Sequence, residues 1–305
     1  MCFAATASGG IANLNAGGRA GGFSLVVSTV FYKTGDFFVF VVHFGLPFSV
    51  FGLLRSVIMN RAHANISGKD MSMALFAIGD THLSLSTGKT MNVFNGWTDY
   101  EKRLESNWRR LIREDDTVVI AGDVSWCMDM EQGTADFEFL DSLPGHKLLM
   151  KGNHDYWWST KKKADEYFER HGFSTLDILF NNAYAVGNIA VCGTRGWFFD
   201  AESDADKKIV LREAGRLRLS IEQAKATGLE PVVFLHYPPL NQSHKCNEIY
   251  DVLLEEGIKR CFYAHLHSYS HSTAFIGESD GISFSLISSD FLGFCPKHIH
   301  ENMSF

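Results

Sequence analysis

The chain has 305 residues, 46% hydrophobic and 21% charged, which is ordinary globular usage that excludes a disordered or fibrous protein and suggests one large domain or two small ones. Its formal net charge of −7 argues against a general nucleic-acid coat, because phosphate binding needs a basic surface. The six cysteines, at 2, 127, 192, 246, 261 and 295, form no CxxC pair, so neither a zinc ribbon nor a redox motif is present, and their scatter fits a reducing, cytoplasmic setting.

The composition breaks near residue 72. Residues 1–72 carry only seven charged residues and net +3, so residues 73–305 net −10, since −7 − 3 = −10. Asp36 and Arg55 bracket the 18 uncharged residues Phe37–Leu54, a length that could span a bilayer. As an anchor it would leave the following domain in the cytosol, because Arg55, Arg61 and Lys69 come after it. Gly45, Pro47, Gly52 and His43 interrupt the run. The other reading is an over-extended reading frame. Gly68-Lys69-Asp70 can be encoded with the purine run AAGGA seven nucleotides ahead of the Met73 codon, a ribosome-binding spacing that makes Met73 the expected start. In either case 1–72 is read as a non-catalytic extension and 73–305 as the catalytic domain.

From Met73 short apolar runs alternate with amphipathic stretches. In chain order the expected strands are Ala74–Gly79, Thr117–Ala121, Lys147–Met150, Ile189–Gly193, Pro231–Leu235, Arg260–Ala264 and Ile282–Ile287. The expected helices are Thr98–Arg113, Glu131–Leu143, Thr160–His171, Asp204–Thr227 and Asn247–Glu256. On the first helix Tyr100, Leu104, Trp108, Leu111 and Ile112 recur near the helical period and read as core. Such alternation predicts an α/β fold with buried, largely parallel strands.

Five of these strands end in residues that can bind metal. They run into Asp80-Thr81-His82, Gly122-Asp123, Lys151-Gly152-Asn153-His154-Asp155, His236 and His265-Leu266-His267. Sites in open α/β sheets form at the carboxyl ends of strands, so residues 80 to 267 can converge. Two Asp, one Asn and up to four His make a mixed oxygen and nitrogen set. That set suits manganese, iron, zinc or nickel rather than an all-oxygen calcium or magnesium cage. It is too large for one tetrahedral site and sufficient for two metals sharing a carboxylate. Any one block alone reads as an ordinary turn or a solvated pair. His43, His63, His146, His171, His244, His271, His298 and His300 lack a strand-end placement and read as ordinary residues.

Taken together, Asp80-x-His82, Gly122-Asp123, Gly152-Asn153-His154-Asp155, His236 and Ala264-His265-Leu266-His267 resemble the five blocks of the calcineurin-like metallophosphoesterase superfamily, over about residues 73–296. The resemblance implies a four-layer α-β-β-α sandwich of two mixed β-sheets with flanking helices. It implies one metal on Asp80, His82, Asp123 and His267, and a second on Asp123, Asn153, His236 and His265. It further implies a protonated catalytic His154 oriented by Asp155, and a metal-bridging hydroxide that cleaves a phosphate mono- or diester. Ala264 stands where the family usually has glycine, which puts the tightness of that turn in question. The alternative is a catalytically weak metal-binding interaction module on the same fold.

Substrate-recognising residues are less marked. Arg195, in Gly193-Thr194-Arg195-Gly196-Trp197, could bind a phosphate with Trp197 stacking on a ring; the plainer reading is a surface arginine and a core tryptophan. Trp157 and Trp158 could line the site mouth or pack. Lys161-Lys162-Lys163 reads as a solvated face, and without a strong basic surface a nuclease is disfavoured.

Overall fold

The computed structural model describes residues 28–34, 37–43, 73–197 and 203–300. The chain divides into two units, Met1–Asp70 and Met71–Phe305. In the first, β1 (Ser28–Thr34) pairs antiparallel with β2 (Phe37–His43). The opening seven residues of the run considered as a membrane span are therefore extended, not helical, and its remainder, 44–54, lies outside the described residues. Among the described residues no helix is long and apolar enough to cross a membrane.

The second unit holds two mixed sheets. The five-stranded sheet is ordered β13 (Lys297–Ile299), β3 (Leu75–Ile78), β4 (Thr117–Ile120), β5 (His146–Leu149), β6 (Leu176–Ile178). All are parallel except β13. The six-stranded sheet is ordered β11 (Gly277–Ser279), β12 (Ile282–Leu286), β10 (Arg260–Tyr263), β9 (Glu230–Leu235), β8 (Ile189–Thr194), β7 (Ala183–Val186). Its four inner strands are parallel and both edges run antiparallel. The helices are α1 (Tyr100–Leu111), α2 (Thr134–Ser142), α3 (Lys161–His171), α4 (Asp204–Lys225) and α5 (Asn247–Glu255).

Alternation along the strands builds the four layers, because successive side chains leave opposite faces. Leu75, Ala77, Val119 and Leu148 turn inward to meet Val191, Val232, Phe234 and Phe262 of the other sheet. Their neighbours Phe76, Ile78, Val118 and Ile120 turn outward onto Leu104 and Trp108 of α1, Phe137 of α2 and Phe168 of α3. On the far side Ala190, Cys192, Val233 and Cys261 pack under Leu217 and Ile221 of α4 and Ile249 and Leu253 of α5. The expected α-β-β-α sandwich is the observed fold.

Two local departures have simple causes. Helix α1 ends at Leu111, which is exposed, so the expected apolar stripe keeps only Tyr100, Leu104 and Trp108 on the helix. Ile112 is buried but already extended. Two glycines allow close contacts: within the six-stranded sheet a Cβ on Gly193 would stand 1.9 Å from the Phe234 carbonyl oxygen, and between the sheets one on Gly79 would stand 2.3 Å from the Ala264 Cβ. Gly79 thus makes room for the side chain of Ala264. The turn after Ala264 still closes, with the Leu266 N–H donating to the Ala264 carbonyl at 2.9 Å.

Candidate metal centre

The sharp turns that follow the inner strands carry the predicted ligands. Asp80, His82, Asp123 and His265 all have left-handed backbone, with φ of 57°, 43°, 50° and 76°. For residues with a Cβ this conformation is strained and persists only where the surroundings enforce it. Hydrogen bonds between turns do so here. Asp80 N–H donates to the Gly122 carbonyl and His82 N–H to the Asp123 carbonyl, each at 2.9 Å. The His265 N–H donates to Asp80 Oδ2 at 2.8 Å, and the Tyr100 hydroxyl to the His82 carbonyl at 2.7 Å.

The turns gather two groups able to hold metal, Asp80–His82–His267 and Asp123–His236–His265. Asp123 lies between them: Oδ2 is 3.7 Å from His82 Nε2 and Oδ1 is 3.6 Å from His236 Nε2. Asn153 Oδ1 reaches His236 Nε2 at 2.7 Å and so joins the second group.

Three of the converging rings, His82, His236 and His265, are held neutral. His236 Nδ1 donates to the Ala121 carbonyl at 3.0 Å, which leaves Nε2 as a lone pair facing Asn153 Oδ1 and, at 3.2 Å, His265 Nδ1. Burial, the largest cause, pushes His236 down to about 3 and His265 to about 2, so both rings are neutral at pH 7. Burial likewise holds His82 well below its usual value, and its Nε2 is 3.3 Å from His267 Nε2. Asp80 Oδ1 is buried with no hydrogen-bond partner. Burial raises the Asp80 carboxyl to about 7 against the pull of His267. His267 rises to about 9, because Asp80 and Asp290 outweigh the burial that opposes its charge. Closely packed imidazole nitrogens and an orphaned carboxylate oxygen are what divalent cations would satisfy once the remaining protons leave, so the residues fit the implied ions.

Two residues sequence reasoning missed complete the surround. Asp290 accepts from His267 Nδ1 at 2.9 Å and from the Ser268 N–H at 2.9 Å. His271, read from sequence as an ordinary histidine, reaches the same carboxylate at 3.2 Å. The available signal was a carboxylate three residues beyond the expected strand Ile282–Ile287. Trp126 stacks on the His82 ring at 4.8 Å and lies 4.5 Å from the His154 ring, and Lys89 Nζ sits 3.3 Å from the centre of the Trp126 ring.

One expectation about the near-site pair needs correction. Asp155 does not orient His154. Its Oδ1 accepts from the N–H groups of Val124 and Ser125 and from Trp157 Nε1, and its Oδ2 from the Gly152 N–H. The carboxylate ties the turn after β4 to the turn after β5, and His154 Nδ1 has no hydrogen-bond partner. In the metal-free protein burial first, then Lys89 and His267, push His154 below the ordinary imidazole value against the pull of Asp123. What His154 does share with the centre is its backbone N–H, which donates to Asp123 Oδ1 at 2.7 Å.

The remaining predicted residues fall outside the two groups. Arg195 stacks over Trp197 at 4.7 Å and stands 3.9 Å from Glu213. Its carbonyl accepts from the N–H groups of His236 and Tyr237, so its backbone borders the centre. Trp157 is buried core, and Trp158 lines a cavity beside Arg195. Lys161 and Lys162 pair with Asp165 and Glu166 one turn on, as a solvated face does.

Paired Asp/His cages at the strand ends of a two-sheet sandwich point to the metal-dependent phosphoesterases as a class. The sequence profile described as calcineurin-like phosphoesterase matches residues 73–269, and the chain belongs to that family. Several solved structures are similar to it. One is a protein of unknown function, AQ665, from Aquifex aeolicus, with 14% identity and TM-score 0.42, over 74% of this chain and 96% of that one. Another is the phosphopantetheinyl hydrolase PptH from Mycobacterium tuberculosis, with 14% identity and TM-score 0.43, over 77% of this chain and 98% of that one. A third is TT1561 of Thermus thermophilus, with 11% identity and TM-score 0.44, over 65% and 83% respectively. No curated protein matches the chain.

Proposed function

We propose that the protein is a dinuclear metal-dependent phosphohydrolase that cleaves a phosphate mono- or diester. Residues 73–305 form the catalytic unit in this reading, and 1–72 a non-catalytic extension. The observation that carries it is Asp123, whose two oxygens face the two ligand groups separately. Asp80, His82, Asp123 and His267 would hold one ion, and Asp123, Asn153, His236 and His265 the other. The mixed donor set suits manganese, iron, zinc or nickel. When bound, two such ions supply a water of lowered pKa and positive charge for the phosphoryl oxygens.

This chain's own residues supply position and exclusion. The cross-turn hydrogen bonds fix the ligand geometry in advance, so little reorganisation is needed at the moment of reaction. Trp97, Trp126 and Tyr100 are packed around His82 and its carbonyl and keep bulk water from that side. A neutral His154 still carries one ring N–H, which can donate to a phosphoryl or leaving-group oxygen as negative charge builds there. Burial pushes up the thiols of Cys127, Cys192, Cys246 and Cys261, so none is a ready thiolate nucleophile. The five free cysteines among the described residues accord with a cytoplasmic protein.

Turnover of p-nitrophenyl phosphate and bis-p-nitrophenyl phosphate by the manganese-loaded chain, and by residues 73–305 alone, tests the reading. Chelator-sensitive hydrolysis of either ester by both proteins is expected. The ratio of the two rates separates monoesterase from diesterase. Metal binding with no hydrolysis of either ester would favour the interaction-module alternative.

A further inference from the structure

Beside the metal centre is a cavity of about 310 Å³ whose wall, among the described residues, includes Lys151, Arg195, Arg212, Arg216 and one carboxylate, Glu213. It adjoins the Asn153–His236 side of the centre through two backbone connections. Lys151 immediately precedes Gly152-Asn153, and the Arg195 carbonyl accepts from the His236 N–H at 3.2 Å.

The charges do not balance. Among the described lining residues four cations stand with one carboxylate, an excess of 4 − 1 = 3 positive charges. Glu213 is already engaged: it is buried, accepts from Thr194 Oγ1 at 2.6 Å and from Arg216 at 2.5 Å, and stands 3.9 Å from Arg195. Lys151 and Arg212 form no ion pair among the described residues. Arg195 Nε is buried with no hydrogen-bond partner. Arg212 and Arg216 lie one turn apart on α4, so their guanidinium groups leave the same helix face. Trp158 and Phe180, rings 5.4 Å apart, add an apolar wall, and Arg216 lies over Phe180. Concentrating unpaired cations in a recess is costly unless an anion fills it, and planar guanidinium groups match phosphate oxygens in pairs.

We propose that this cavity is a second phosphate subsite, and that the substrate is a phosphate ester carrying another phosphate group that docks there while the scissile one lies at the metals. The proposal rests on the hydrolytic reading above and narrows its substrate class to bis-phosphorylated compounds.

Non-hydrolysable probes separate the two claims. The manganese-loaded full chain is titrated by calorimetry with alkylphosphonates, with alkane-α,ω-bisphosphonates of increasing length, and with ω-carboxyalkylphosphonates. One bisphosphonate length should bind at least about tenfold more tightly than its monophosphonate, a difference of about 1.4 kcal/mol. Arg212→Glu and Lys151→Gln should each abolish that ratio; Arg212 is exposed, so its reversal leaves the packing intact. The subsite is overturned if no length shows the gain, if the gain survives both substitutions, or if neither probe type binds. A carboxylate end that binds as tightly as the second phosphonate overturns the phosphate assignment. Monophosphonate binding that survives metal chelation would instead contradict the hydrolytic reading, while the bisphosphonate ratio still reports on the cavity.

Discussion

Asp290 accepts a hydrogen bond from His267 Nδ1 at 2.9 Å, and this leaves Nε2 of the same ring facing Asp80 Oδ1 at 3.7 Å. A carboxylate behind a metal-facing imidazole fixes its tautomer and raises its basicity. Asp290→Ala removes that support, together with the acceptor for the Ser268 N–H. We expect metal affinity to fall about 10–100-fold, the usual cost of losing such a partner. Metal titration of the purified variant checks this; unchanged affinity would show that the His267 ring is fixed by its packing alone.

Gly152→Ala should be more damaging than its size suggests. A Cβ there would stand 2.1 Å from Asp123 Oδ1 and 2.3 Å from the Asp123 backbone nitrogen. Neither atom can withdraw, because Asp123 Oδ1 is held by the His154 N–H and the turn is tied down by Asp155. We expect the variant to fold and to lose at least one metal. Elemental analysis with a circular-dichroism control reads both, and full metal content would contradict the claim that Asp123 has no room to move.

His154→Gln should separate metal binding from turnover. The backbone N–H that holds Asp123 survives the substitution, so both ions should stay. The ring N–H is lost, and general acid–base groups are worth about 10²–10⁴ in rate. The fall should appear in kcat and be smaller for esters with good leaving groups such as p-nitrophenolate. Loss of a metal would make His154 a ligand; full activity on a poor leaving group would remove its catalytic role.

Metal binding should release protons and strengthen with rising pH. In the metal-free protein burial holds Asp80 up to about 7, and Asp80 and Asp290 hold His267 up to about 9 against its burial. Both must lose their protons to serve as ligands. Below pH 7 protons compete at both residues; between about 7 and 9 they compete mainly at His267; above 9 competition ends. Calorimetry in buffers of different ionisation enthalpy counts the protons, and pH-independent affinity between about 6 and 9 would contradict these shifts.

The sequence revealed the inner strands and not the edges. Every strand expected from an apolar run, such as Thr117–Ala121 or Pro231–Leu235, is an inner strand paired on both sides. The four missed in the second unit, Leu176–Ile178, Ala183–Val186, Gly277–Ser279 and Lys297–Ile299, are the four sheet edges. Edge strands pair on one side only and carry short or polar sequences, so periodicity is weak there. Three of them run antiparallel, which is why the strand pattern alone suggested largely parallel sheets. The six residues of the two Asp/His groups, and Asn153 beside them, were legible because each lies just beyond an inner strand. Adjacency misled at Asp155, which is next to His154 in sequence while its carboxylate reaches back to Val124 and Gly152. Asp290 escaped notice because nothing in the sequence links it to His267, 23 residues away.

The most direct test of the account is the metal content of the purified protein and of Asp123→Asn. A carboxylate whose oxygens face His82 and His236 at 3.7 and 3.6 Å should serve both ions, whereas every other ligand serves one. The account predicts two divalent ions per wild-type chain, fewer than one per Asp123→Asn chain, and loss of phosphoesterase activity with them. Two ions retained by Asp123→Asn, or one ion in the wild type, would contradict a centre built around Asp123.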